Sequence, residues 1–123
     1  MTERFLLTYS VLNVGRSWDQ HKANDVRDNI HDLTLSQIID LEDNIHEPFY
    51  DWNKLSMVET TINGSIDVGE GTLSSKRSKT LKAVTGLFKR ILKDNDATAN
   101  TTVIHCAILV NSMDEVLEFE VSY

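Results

Sequence analysis

Residues 72–93 can be buried along one side only. At about 100° per residue, Leu73, Leu81, Val84, Leu87, Phe88, Ile91 and Leu92 gather into one apolar arc. Lys79, Lys82, Lys89, Arg90 and Lys93 fall opposite it, and Thr72 is placed to cap the first turn. Such a helix needs an apolar surface to lie on. A chain of 123 residues has room for one domain with a core of its own, so the rest of the sequence must supply that surface.

Residues 4–12 alternate, with Phe5, Leu7, Tyr9 and Val11 on one face, and predict a strand ended by Asn13 and Gly15. Ser17 and Gln20 have capping-box spacing, so a helix is expected from Trp18 onward. It would bury Ala23, Val26, Ile30 and Leu33 and turn Asp25, Asp28 and Asp32 to another side. Thr34 and Gln37 repeat that spacing and predict a break. A second helical piece then uses Leu35, Ile38, Ile39, Leu41 and Ile45, and Pro48 ends it by restricting the residue before it.

Asn63-Gly64 lies between two β-prone runs, residues 55–62 and 65–68, and predicts a type I′ hairpin turn. Residues 102–110 are almost continuously apolar, as expected of an interior strand buried on both faces. In residues 116–123, Leu117, Phe119, Val121 and Tyr123 alternate with Glu118 and Glu120. The order β-α-β-β-α-β-β predicts one α+β domain over residues 1–123, a ferredoxin-like βαββαβ two-layer sandwich with an extra C-terminal antiparallel strand.

Charge is sorted along this chain. Residues 76–93 hold seven of the twelve basic residues and no acid, inside a chain of net charge −7. Such separation selects partners by sign and steers their approach. The overall acidic balance argues against general coating of nucleic acid or membrane, while the basic segment keeps local nucleic-acid binding open. The single cysteine, Cys106, excludes an internal disulfide and is expected as a buried thiol. Residues 1–5 lack the basic stretch and apolar run of a secretory signal, and the cytoplasm is the expected compartment.

Each candidate site has a plain alternative. The basic face is either solvated, balanced by Asp25, Asp28 and Asp32, or a site for a partner or for phosphates. A second acidic group, Asp40, Asp43 and Glu47, gathers with His46 near the end of the first helical region. It reads as a solvated face or as a dock for a basic protein; its spacing matches no EF-hand, and no metal or other cofactor is expected. The aromatic loop Phe49, Tyr50 and Trp52 either caps the core or, if exposed, anchors an interface. His105 is expected in the core. With the Asn63-Gly64 turn in place, Glu59 falls on an apolar face, and it is rotated out by a bulge, lies on the solvent side or acts as a functional acid. No HExxH, CxxC, GxSxG or Walker pattern is present, so no catalytic residue is assigned.

The opening strand at residues 5–12, with Trp52-Asn53-Lys54-Leu55 and Thr60-Thr61, resembles small Cas2-like proteins. The resemblance implies a ferredoxin-like dimer associated with nucleic acid, in some members a metal-dependent nuclease. That family ends its first strand with an acid, and residues 9–13 here carry none. The expected function is therefore protein–protein contact without turnover. The acidic surfaces would mask a basic, nucleic-acid-binding partner, as immunity proteins, antitoxins and phage-borne anti-defence inhibitors do. A Cas2-like protein binding nucleic acid through residues 76–93 is the alternative, and a homodimer through the C-terminal edge strand is a further expectation.

Overall fold

The computed structural model describes residues 2–41 and 48–123. The chain begins with β1 (Thr2–Asn13), whose alternating burial follows directly from its period-two sequence. A single 3-10 turn at Ser17–Asp19 leads into α1 (Gln20–Asp32), and α2 (Leu35–Ile39) follows. Next come β2 (Phe49–Lys54), β3 (Thr61–Asp67), the long α3 (Leu73–Asp94), β4 (Thr102–Val110) and β5 (Leu117–Val121). The domain is thus mixed α+β, with three helices and one five-stranded antiparallel sheet in the order β2-β3-β1-β4-β5.

Local chemistry fixes the helix ends. Thr72 Oγ1 accepts the Ser75 N–H at 3.1 Å and starts α3. Thr34 and Gln37 exchange bonds in a capping box, 3.0 and 3.3 Å, which breaks α2 from α1. Ahead of α1 the Asp19 carboxylate accepts the Arg16 N–H at 3.0 Å and closes the 3-10 turn. The helix α1 itself starts from Asp19 without a side-chain cap, and not with the expected Ser17–Gln20 box.

All three helices lie on one face of the sheet. Phe5, Leu7, Tyr9 and Val11 of β1 meet Ile62 and Ile66 of β3 and Ile104, Cys106 and Ile108 of β4 in the core, under Val26, Ile30, Ile38, Leu87 and Phe88. Phe88, fully buried, stands edge-on to Tyr9 and Trp52 at 5.9 and 6.4 Å. Burying one such side chain is worth about 1.5–3 kcal/mol, so this aromatic junction carries much of the contact between layers.

The Asn63-Gly64 turn does not form. Asn63 and Gly64 sit inside β3, opposite Asn53 and Trp52 of β2, and the real turn is at residues 55–60. The backbone carbonyl of Asp51 passes so close to Gly64 that any Cβ there would clash, and Phe5 presses on the same spot. Glycine is required at that position by close packing rather than by positive φ. Two expectations change with this shift. Phe49, Tyr50 and Trp52 form a strand instead of a loop, with Phe49 and Trp52 in the core and only Tyr50 exposed. Glu59 stands in the exposed turn, so its predicted conflict with an apolar face disappears.

β4 is buried mainly on one face, although outward-facing Val103 near its start is buried as well. Ile104, Cys106 and Ile108 point inward, while His105 and Leu109 are exposed on the far side. His105 is therefore no core residue; it meets Glu120 of β5 at 3.0 Å.

Candidate interaction surfaces

The helical layer presents one acidic and one basic stripe. On α1, Ala23, Val26 and Ile30 are buried, which turns Asp25, Asp28 and Asp32 outward, where all three are exposed. On α3, the buried face includes Thr80, Ala83, Val84, Leu87, Phe88, Ile91 and Leu92, and Lys79, Lys82, Lys89 and Lys93 are exposed on its back. Among the described residues none of these three aspartates and four lysines forms an ion pair. The bases of α3 that do pair, among the described residues, are Lys76 with Glu3, Arg77 with Glu115 and Arg90 with Asp94. Arg90, expected on the basic face, is thus engaged within its own helix.

The two helices are joined by neutral or backbone contacts. Asn95 Nδ2 donates to Asn29 Oδ1 at 3.0 Å, and Lys22 donates to the Asp96 carbonyl at 2.9 Å. Arg27 is also turned inward, donating to the Val11 carbonyl at 2.8 Å. Among the described residues, the outer side of the layer is left with unopposed carboxylates on one helix and unopposed ammonium groups on the other. In the second acidic group, Asp40 is exposed, while Asp43, Glu47 and His46 lie outside the described residues.

The far face of the sheet is open, a surface the sequence analysis did not single out. Leu6, Thr8, Ser10 and Leu12 of β1 line it with Ala107, Leu109 and the His105–Glu120 pair. A shallow depression lies there between Thr8, Ser10, His105, Ala107 and Glu118. At one end Arg4 donates to Asn63 at 2.6 Å, Asp51 at 3.2 Å and Ser65 at 3.3 Å. The alternation of β1 carried the signal for this face, because its even positions are a second surface in their own right.

Two titratable groups behave as buried ones. Burial pushes the Cys106 thiol up to about 12, and it pushes the Tyr9 phenol up to about 12 against the opposing effect of Arg27. Neither is poised for chemistry near neutral pH. Among the described residues no three His, Cys, Asp or Glu side chains gather as a metal-holding group, and no described helix is long and apolar enough to cross a membrane. β5 and β2 are the two edges of the sheet. No family model, curated protein or solved structure matches this chain.

Proposed function

We propose that the protein works by binding, as a charge-reading module that docks a basic, nucleic-acid-binding protein on its acidic helical face and so keeps that partner from its nucleic acid. The observation that carries this reading is the exposure of Asp25, Asp28 and Asp32 with no ion pair among the described residues, although a lysine-rich helix is fastened beside them. Carboxylates left this way repel one another across a helix face and are relieved by an incoming cation. We read the fold as a ferredoxin-like sandwich; the order β2-β3-β1-β4 with antiparallel neighbours supports this, and β5 adds a strand beyond it.

Affinity capture from the source cell, with mass spectrometry, tests the reading. The wild type is expected to hold a basic protein that Asp25→Lys/Asp28→Lys/Asp32→Lys does not, and to displace that protein from its nucleic acid. Capture that the triple variant retains overturns it.

One observation favours a second reading. Lys79, Lys82, Lys89 and Lys93 form an exposed cationic row with no ion pair among the described residues, suited to phosphates. Binding of an oligonucleotide there would fall steeply with salt, and Lys82→Glu/Lys89→Glu would flatten that slope. A slope unchanged by the variant removes the second reading.

A further inference from the structure

The stripes on α1 and α3 match each other in spacing as well as in sign. Asp25, Asp28 and Asp32 follow at steps of three and then four residues. Lys82, Gly86 and Lys89 follow at steps of four and then three, over the same seven-residue length, about 10.5 Å of helix. Laid antiparallel, the two rows coincide: Asp32 over Lys82, Asp28 over Gly86 and Asp25 over Lys89. Within one chain this match is unused, since both rows face away from the core and neither reaches the other.

We propose that the free protein pairs with a second copy of itself through the outer side of its helical layer, each α1 lying antiparallel on the α3 of the other copy. A two-fold axis running between the helices makes the contact twice, as an isologous interface requires. An occupant that covers both stripes at once must carry a basic row beside an acidic one in the mirrored order. The protein's own surface has that arrangement. A polyanion would meet the lysines favourably and the neighbouring aspartates unfavourably.

Gly86 is an independent support. A Cβ built there meets nothing within 4 Å, so nothing among the described residues calls for glycine. Glycine in the middle of a helix lowers its stability relative to alanine. What the missing side chain does allow is close approach of another helix between Lys82 and Lys89, with the short Asp28 side chain of the other copy facing the gap. The competing bases near α1 are already occupied, Arg27 by Val11 and Lys22 by Asp96, which leaves the lysine row of α3 as the complement of the acids.

The inference concerns the purified protein alone. It uses the same aspartates that the proposed function assigns to an outside partner, so self-pairing and partner binding exclude each other on this face. Analytical ultracentrifugation tests it with four samples: wild type, Lys82→Glu/Lys89→Glu, Asp25→Lys/Asp32→Lys, and an equimolar mixture of the two variants. The wild type is expected to be a dimer at low salt that dissociates as salt rises. Each variant alone is expected to self-associate more weakly by roughly tenfold or more, because like charges then face each other. The mixture is expected to form one-to-one dimers, since both contacts regain opposite signs. Gly86→Gln, a better helix former, is expected to raise the melting temperature at high salt, where the chains are separate, while abolishing the dimer at low salt. A wild type monomeric at low salt, variants that dimerise like the wild type, a mixture that stays monomeric, or an intact Gly86→Gln dimer each overturn the proposal. These readouts contain no outside partner, so they fail or succeed separately from the capture experiment.

Discussion

Asn29 of α1 and Asn95 at the end of α3 are joined by a 3.0 Å hydrogen bond, amide to amide. At the point where an acidic helix and a basic helix meet, the contact is made without charge. Asp25, Asp28 and Asp32 of α1 and Lys79, Lys82, Lys89 and Lys93 of α3 remain exposed, open to something outside the chain. A cross-helix Asp–Lys pair at this junction would have been worth only about 0–1 kcal/mol, so leaving the charges unmatched costs the fold little.

Gly64→Ala is expected to destabilise the protein by about 3 kcal/mol, since the added methyl must displace the Asp51 backbone and Phe5 from β3. Urea unfolding measures the loss. A variant as stable as the wild type would contradict the pairing of Gly64 with Trp52 and return Asn63-Gly64 to a turn.

Gly86→Ala is expected to act in the opposite direction. With open space around the new methyl, the gain in helix propensity is about 1 kcal/mol, or about 4 °C in melting temperature. Calorimetry at high salt reads this on the separated chains.

Glu3 gives the stability a pH dependence of definite sign. Burial by itself pushes its carboxyl up, but the hydrogen bonds from Ser112 and the ammonium of Lys76, 3.5 Å away, outweigh it and hold the pKa below the ordinary carboxylate value. A group with a lowered folded-state pKa stabilises fully above its unfolded value, about 4.3, and loses that contribution as pH falls through the folded value. Glu3→Gln is therefore expected to cost about 1–2 kcal/mol near neutrality, and less as the pH falls below about 4. Unfolding curves of the two proteins across that range are expected to converge at the acid end.

Cys106 is expected to resist iodoacetamide in the native protein at mildly alkaline pH and to react once denaturant opens the sheet. Its thiol is buried and its pKa is pushed up to about 12, so the reactive thiolate is scarce in the folded state. Mass spectrometry of alkylated protein with and without denaturant checks this.

His105→Ala is expected to change stability by less than about 1 kcal/mol, as befits an exposed pair with Glu120. Several kcal/mol lost on this substitution would instead indicate the core position that its apolar neighbours suggest.

That histidine illustrates what the sequence does and does not reveal. The helices were legible because charge and apolarity repeat on opposite sides with the helical period, and Thr72 and Thr34 mark their starts through local bonds. β1 was legible from its alternation. In β4, outward Ala107 and Leu109 are as apolar as inward Ile104 and Ile108, so the period-two signal is erased and a one-sided strand reads as two-sided. Asn63-Gly64 failed for another reason. Its local preference for a turn is overridden by long-range pairing, and the need for glycine comes from Asp51, twelve or more residues away in sequence and invisible to local inspection. Displacing that turn also hid the burial of Phe49 and Trp52 in the core. The charge rows survived these errors because they depend on helical phase alone.

The place of β1 at the middle of the sheet has a consequence for folding. Its two neighbours are β3, complete only at Asp67, and β4, which begins at Thr102. One flank of β1, with Leu7, Tyr9 and Val11, therefore stays unpaired until the segment beginning at Thr102 has been added. Assembly of the sheet has to wait for segments distant in sequence, which slows folding by topology.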